Sequence, residues 1–249
     1  MEIRYFKHYS SRLDRDMEFK VYGHAGKPVL LIPCEGGRFY DYEDFGMIDH
    51  WAQWIEEGRC TLYTVDSIDH ETYLSTGSPE QRTQLHERWY NYIVGELVPY
   101  IRILSQERNG YDQGIMTFGC SMGAMHSANL FFRRPDLFNA VFALSGVYDS
   151  RMYFGDYMDD TLYQNTPAEY LRNLPEDHYY KRMYNNRRMM FVCGQGPWEE
   201  ASLSSLRYLE YILRDRGIHA QTEYWGNDVS HDWYWWFRMV ELYAPRFLY

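Results

Sequence analysis

One short stretch, Gly119-Cys120-Ser121-Met122-Gly123, constrains the fold of this chain more than any other feature. The residues before it, 114–118, are apolar enough to form a buried strand, and residues 123–130 begin a helix with small side chains. A serine between the two lies on a sharp strand-to-helix turn, which pushes its hydroxyl out of the sheet and leaves the next backbone N–H free. The flanking glycines let strand and helix approach closely. The stretch therefore predicts a nucleophile elbow.

Apolar runs typical of strands alternate with helical segments along most of the chain. This alternation predicts an α/β fold with a mostly parallel, doubly wound sheet and helices on both faces. Residues 4–9 and 17–22 alternate polar and apolar side chains, so we expect an antiparallel hairpin at one sheet edge. Pro99 interrupts a long amphipathic helix, where a kink or short break is expected. The predicted parallel strands are 29–32, 60–65, 114–118, 140–146, 189–194 and 219–225.

The regular alternation stops between residues 147 and 186. This segment contains eight tyrosines, several aspartates and only short helix-like pieces. The segment follows a strand at the carboxyl edge of the predicted sheet, and a long insertion at this edge can cover an active site. An insertion that only packs on the surface would have the same sequence pattern. We predict a single domain over residues 1–249, with 147–186 as a lid-like insertion.

Composition and charge exclude several classes of function. The formal net charge of −10, from 35 acidic and 25 basic residues, opposes binding to a phosphate backbone, so no nucleic-acid partner is expected. No apolar run approaches the roughly 20 residues needed to cross a bilayer, and residues 1–7 lack the apolar core of a secretion signal. We therefore expect a cytoplasmic protein without a membrane partner.

The four cysteines are widely spaced, and three of them lie in apolar runs that predict strands. This pattern favours buried free thiols over disulfides or a metal site. The cysteines are Cys34, Cys60, Cys120 and Cys193.

A serine hydroxyl needs a base within hydrogen-bond reach and a third group that orients the base. His231 is the one histidine of nine that lies in a glycine-containing loop after the last predicted strand. The carboxylates that follow the strand ending at Gly194 are Glu199 and Glu200, and we prefer Glu199 as the third group while leaving Glu200 open. Carboxylates at a helix start also have an ordinary electrostatic explanation. The chain order is serine, acid and histidine, which is that of α/β-hydrolases.

A glycine pair, Gly36-Gly37, directly follows the first buried strand. At the carboxyl edge of a doubly wound sheet such a loop can aim backbone N–H groups at a reacting oxygen, whereas an ordinary tight loop would look the same in the sequence. Arg38 comes next and is a candidate for gripping a substrate carboxylate, with a solvated loop residue as the alternative.

Together these motifs resemble the putative-esterase branch of the α/β-hydrolases, which includes S-formylglutathione hydrolase (esterase D) and feruloyl-esterase-like enzymes. The likeness covers nearly the whole chain from Val29 onward. The motifs that carry it are the elbow, Arg134-Pro135-Asp136-Leu137-Phe138, Leu144-Ser145-Gly146, Gly217-Ile218, Gly226 and His231-Asp232-Trp233.

The resemblance implies a role for each of these site residues. Ser121 would be the nucleophile, His231 the general base and acid, and the N–H of Met122 one oxyanion donor. The sequence departs from the family pattern at the acid, where two glutamates stand in place of the commoner aspartate, and in the loop over residues 33–40. The second oxyanion donor would come from Glu35, Gly36 or Gly37.

We therefore expect a serine carboxylic-ester or thioester hydrolase that acts on a small-molecule acyl ester through an acyl-enzyme and requires no metal or organic cofactor. One alternative is an acyltransferase, in which an alcohol or sugar replaces water and the same residues serve. Another is a catalytically silent binding protein with the hydrolase fold. The Trp- and Tyr-rich C-terminal segment is compatible with an interface in a homo-oligomer.

Overall fold

A computed structural model describes residues 1–249. Eight strands form one sheet, and helices cover both of its faces. None of the helices combines the length and the apolar character that crossing a membrane requires. The strands are β1 Ile3–Ser10, β2 Arg15–Tyr22, β3 Lys27–Ile32, β4 Cys60–Val65, β5 Ile115–Cys120, β6 Phe138–Leu144, β7 Arg188–Cys193 and β8 Gln221–Tyr224. The helices are α1 Asp41–Asp44, α2 Met47–Glu56, α3 Pro79–Tyr92, α4 Val98–Asn109, α5 Met122–Arg133, α6 Arg151–Phe154, α7 Asp160–Gln164, α8 Pro167–Arg172, α9 Tyr179–Asn185, α10 Glu200–Asp215, α11 Trp233–Tyr243 and α12 Pro245–Leu248.

The strand order is β1-β2-β4-β3-β5-β6-β7-β8. Strands β1 and β2 form the predicted antiparallel hairpin at one edge, and β2 also pairs antiparallel with β4. The remaining pairs are all parallel, so the carboxyl ends of β3, β5, β6 and β7 meet at one edge. The predicted α/β-hydrolase architecture with a mostly parallel sheet is confirmed.

Two apolar layers enclose the sheet. One buried cluster of 39 residues lies between one face and helices α3, α4, α5, α8 and α10, and a second of 25 residues lies between the other face and α2 and α11. Because both faces are covered, the central strands are apolar on both sides and give continuous apolar runs in the sequence.

The irregularity expected near Pro99 is a π-helical turn over Ile93–Leu97, between α3 and α4. Proline has no N–H, and its ring clashes with the carbonyl of the preceding turn. Widening that turn lets the chain continue as a helix instead of breaking. Between β6 and β7 the chain forms the four short helices α6 to α9, so the segment 147–186 lies outside the sheet.

Candidate active site

Ser121 lies at the junction of β5 and α5 with a strained backbone. Its φ is 56° and its ψ is −125°, a conformation that non-glycine residues rarely adopt. Such strain costs on the order of 1–3 kcal/mol, and it persists only where the surrounding structure enforces it. The serine is therefore held in the elbow geometry that its flanking sequence predicted.

The two glycines of the elbow are required by close backbone contacts. A Cβ on Gly119 would lie 2.2 Å from the carbonyl group of Gly123. A Cβ on Gly123 would lie 2.2 Å from the main-chain oxygen of Ile32. The start of α5 is thus pressed against the ends of both β5 and β3, which brings the loop after β3 next to the serine.

Tyr42 fixes these two strand ends to each other. Its hydroxyl donates to the Ile32 carbonyl at 2.9 Å and accepts from the Cys120 N–H at 3.1 Å. Burial raises the pKa of Tyr42 well above its ordinary value, so the phenol keeps the proton it donates. The elbow and the glycine loop consequently share one rigid support.

His231 lies between a hydroxyl and a carboxylate. Its Nε2 is 2.9 Å from Ser121 Oγ, and its Nδ1 is 3.1 Å from Glu199 Oε2. The histidine side chain retains 22% exposure, whereas the glutamate is completely buried. The three side chains form a continuous row of hydrogen bonds that opens to solvent at the serine end.

The loop that carries His231 is fixed by local contacts. Asp232 caps α11, because its Oδ1 accepts the Tyr234 N–H at 2.9 Å. The His231 N–H donates to the Pro197 carbonyl at 3.1 Å, and the edge of its ring meets Trp236 with centroids 4.9 Å apart. The His-Asp-Trp motif therefore works as a helix cap that presents the imidazole.

Only one of the two candidate glutamates reaches the imidazole. Glu199 Oε1 accepts from Ser145 Oγ at 2.5 Å and from the Gly194 N–H at 3.3 Å. The other carboxylate oxygen, Oε2, faces His231. Glu200 is the first residue of α10, is exposed and makes no hydrogen bond to His231. The structure thus brings Glu199 into the row and leaves Glu200 at the helix start.

The sequence did not indicate a role for Ser145. Its Oγ donates to Glu199 and accepts from the indole N–H of Trp236 at 3.1 Å, so it orients the carboxylate from behind. Its backbone, like that of Ser121, has a positive φ of 54°. The available signal was its position directly after a buried strand, at the edge where the other site residues lie.

The backbone donors of the glycine loop are not equivalent. The Gly36 N–H donates to Asp69 Oδ2 at 3.2 Å, and the Gly37 N–H donates to the Cys34 carbonyl at 2.9 Å. The N–H groups of Glu35 and Met122 have no acceptor within the protein. Two backbone N–H groups near the elbow are therefore free to meet an external oxygen.

Asp69 joins the glycine loop to the elbow helix and was also missed in the sequence. Its carboxylate is buried, with one oxygen at the Gly36 N–H and the other 2.9 Å from Nε2 of His126 on α5. The His126 ring packs against Trp89 and Tyr73. This carboxylate holds the two segments that carry the free N–H groups in a fixed relation.

Arg38 is already occupied by carboxylates of the protein. Its Nε donates to Asp66 at 2.7 Å and its Nη2 to Glu18 at 2.8 Å. The guanidinium therefore braces the loop against β2 and the end of β4. This placement favours the interpretation as a loop residue over that as a grip for a substrate carboxylate.

The four cysteines are free, and Cys120 lies directly beside the serine. Burial raises the pKa of the Cys60 and Cys120 thiols well above the ordinary value, so the reactive thiolate is scarce.

Iodoacetamide at mildly alkaline pH is expected to leave Cys60 and Cys120 unmodified in the folded protein and to modify both after denaturation. Intact-mass measurement and peptide mapping check this, and rapid alkylation of Cys120 in the folded protein would contradict it.

The helical insertion contacts the elbow directly. Phe154 and Leu162 from α6 and α7 form a small buried cluster with Met122 and Met125, the first turn of the elbow helix. Arg82 ties the same segment to the body, since its Nη2 donates to the carbonyls of Tyr73 and Tyr153. The segment after β6 therefore packs against the first turn of the elbow helix.

The chain matches a family model described as Putative esterase over residues 10–240. No curated protein sequence matches it. Among solved structures, a ferulic acid esterase superposes with a TM-score of 0.74 at 16% identity, covering 99% of this chain and 98% of the other. An S-formylglutathione hydrolase from Agrobacterium tumefaciens gives 0.73 at 14% identity, with 98% and 93% covered.

A second S-formylglutathione hydrolase, FrmB from Staphylococcus aureus, gives a TM-score of 0.69 at 15% identity, covering 100% of this chain and 97% of the other. At such low identity the structural likeness supports the fold, and the family model supplies the assignment. The chain therefore belongs to the putative esterase family and has the α/β-hydrolase fold.

Proposed function

We propose that this protein hydrolyses carboxylic esters or thioesters through an acyl-enzyme, with Ser121 as nucleophile, His231 as general base and acid, and Glu199 as the orienting acid. The observation that carries the proposal is the row of hydrogen bonds from Ser121 Oγ through the imidazole to a buried carboxylate. Family membership supports the same reaction class.

In the first half of the reaction, Ser121 Oγ attacks the carbonyl carbon and its proton passes to Nε2 of His231. The imidazolium is stabilised by Glu199, which accepts the Nδ1 proton in a hydrogen bond and remains ionised. The tetrahedral intermediate collapses when Nε2 returns its proton to the departing alcohol or thiol, which leaves the acyl group on Oγ. Water then repeats the sequence, and the carboxylic acid is released from regenerated serine.

The negative charge on the carbonyl oxygen needs donors that are in place before the reaction starts. Met122 supplies one N–H as the first residue of α5, where the helix dipole adds positive potential. Glu35 supplies the second, because the N–H groups of Gly36 and Gly37 already have protein acceptors. Gly36 acts instead as the anchor of this loop.

Asp69→Asn is expected to lower kcat by about 10- to 100-fold with little change in KM, because it loosens the loop that carries an oxyanion donor. Asp69 accepts from the Gly36 N–H with one carboxylate oxygen and from His126 with the other, whereas an asparagine side chain has a single oxygen. Steady-state kinetics on one acyl ester measures the effect, together with the rate of fluorophosphonate labelling.

Glu71→Gln provides the matched control for Asp69. Glu71 lies on the same short turn and pairs with Arg15 at the surface, and its carboxylate makes no hydrogen bond to the glycine loop or to α5. Its substitution is expected to leave kcat within about twofold of the parent. Equal losses in both variants, or a rise in KM alone for Asp69→Asn, would contradict a positioning role.

The protein is a single domain in which residues 147–186 act as a lid over the acyl pocket. The contacts of Phe154 and Leu162 with Met122 support this role, because Met122 is the residue that follows the nucleophile.

The hydrolase activity is tested by incubating the purified protein with a panel of acyl esters, thioesters and acetylated sugars. Release of free acid from at least one class is expected, and product that appears only with an alcohol acceptor would indicate acyl transfer instead.

A further inference from the structure

A cavity of about 520 Å³ lies at the end of the sheet opposite the elbow. Residues at or just before the starts of five parallel strands line it: Lys27 of β3, Arg59 before β4, Gln113 before β5, Asn139 of β6 and Arg188 of β7. Six-residue strands such as β3 and β5 separate it from the catalytic edge by about 20 Å, at about 3.3 Å per residue. None of these residues takes part in the ester hydrolysis described above.

The cavity concentrates positive charge in a chain whose net charge is −10. Lys27, Arg59, Arg187 and Arg188 line it. Arg59 pairs with Glu57 at 2.5 Å, whereas Lys27 and Arg187 form no ion pair with a side-chain carboxylate. Asp112 is the acidic side chain in the wall, and it already pairs with Arg102 at 2.6 Å. The charges of Lys27 and Arg187 are therefore the ones that no side-chain carboxylate compensates.

The internal hydrogen bonds of Lys27 are to neutral groups. Lys27 Nζ donates to the Gln113 carbonyl at 3.2 Å and to the side-chain oxygen of Asn139. Arg188 donates to the main-chain oxygen of Arg246 and, at 3.4 Å, to that of Tyr249. Burial, with the nearby Arg187 and Arg188 charges, lowers the pKa of Lys27 to about 8. The cluster is thus electrostatically strained, and an anion would relieve it.

Arg187 adds an unpartnered donor to the same place. Its Nε is buried and has no acceptor in the protein. A buried donor without an acceptor is uncommon and is unfavourable unless something fills the position. Phe247 and Leu248 supply apolar wall, and amides of Gln113 and Asn139 supply further polar contacts. The volume lies within the range that small organic ligands occupy.

We propose that this cavity binds a small organic polyanion, a phosphate ester or a polycarboxylate, through Lys27, Arg187 and Arg188. The arginines are suited to bidentate contact with phosphate or carboxylate oxygens, and the lysine adds a compact charge to the lining. The apolar wall accommodates the organic body of the ligand. Because the site lies at the far end of the sheet, it is independent of the ester-hydrolase assignment.

Isothermal titration calorimetry and thermal unfolding of the full chain test the site with two probes, adenosine 5′-monophosphate and citrate. Each is compared with sodium chloride at equal ionic strength, which removes general screening. At a probe concentration of about 100 Kd, the unfolding temperature is expected to rise by roughly 5 to 10 °C. The nucleotide arm identifies a phosphate ester and the citrate arm a polycarboxylate.

Arg187→Ala and Lys27→Met should each weaken binding of the active probe by roughly 10- to 100-fold, the loss expected for one charge-assisted hydrogen-bonded contact. Arg216→Ala is the matched control, since this arginine is also half-buried but pairs with Glu176 and Asp215 elsewhere. If Lys27→Met fails to fold, Arg187→Ala alone decides. Absence of any shift beyond that of chloride with both probes, or binding that Arg187→Ala leaves intact, would overturn the proposal.

Discussion

Ser121→Ala is expected to lower kcat/KM by about 10⁴-fold or more, because no other group can form the acyl intermediate. The residual rate would come from the oxyanion donors and from substrate binding. The fold should survive, since the serine hydroxyl has His231 as its single hydrogen-bond partner and alanine retains the Cβ. Kinetics on the best ester from the panel measures the loss, and the temperature of thermal unfolding verifies that the variant is folded.

A folded Ser121→Ala variant that kept a tenth or more of the parental rate would remove the serine from the mechanism. The neighbouring thiol is a poor substitute, because burial raises the pKa of Cys120 and no imidazole contacts it. Cys120→Ala in the same background therefore serves as a check that residual turnover does not come from the thiol.

The second large effect is expected at Glu199. Glu199→Gln should reduce kcat by about 10³- to 10⁴-fold, because an amide oxygen cannot serve His231 on one side and Ser145 with Gly194 on the other. If the amide NH₂ faces Nδ1, the imidazole takes the wrong tautomer. If it faces Ser145, the buried serine loses its acceptor.

Glu200→Gln is the matched control for this substitution, one residue along the same turn. Its carboxylate is exposed and lies outside the row, so kcat is expected to stay within about twofold of the parent. Steady-state kinetics on both variants, with unfolding temperatures measured in parallel, separates catalysis from stability. A larger loss for Glu200→Gln than for Glu199→Gln would reverse the assignment of the acid.

The elbow was predictable because its signals are local. Gly119 is required by a backbone contact with Gly123, four residues along the chain, and a short apolar strand before a small-residue helix fixes where Ser121 lies. The parallel sheet was predictable for a similar reason, since strands covered on both faces leave continuous apolar runs. Chain order then placed His231 and the glutamates at the same edge.

Choosing between Glu199 and Glu200 needed the path of the turn before α10. Trp198 has a positive φ of 70° and is mostly exposed, so the chain reverses there and Glu199 turns inward at the N-cap position. A sequence does not report such a reversal when the residue is a tryptophan, because positive φ is normally signalled by glycine or asparagine.

Asp69 and Ser145 were missed because their roles depend on distant partners. Asp69 contacts Gly36 and His126, which are far from it in the chain, and Ser145 contacts Glu199 across the sheet edge. Asp69 has no local pattern that differs from that of an ordinary loop residue, and the motif Leu144-Ser145-Gly146 marks the position of Ser145 without indicating its role. Which backbone N–H groups remain free near the elbow likewise follows from tertiary contacts.

Reaction with a fluorophosphonate probe, followed by intact-mass measurement and peptide mapping, tests the central claim most directly. A nucleophilic serine next to a base is expected to give one adduct per chain, on the peptide that contains Ser121, with loss of ester hydrolysis in proportion to labelling. The same row of hydrogen bonds predicts that His231→Ala slows labelling strongly. An active protein that forms no adduct, or forms it on another residue as activity disappears, would contradict the assignment of Ser121 as the nucleophile.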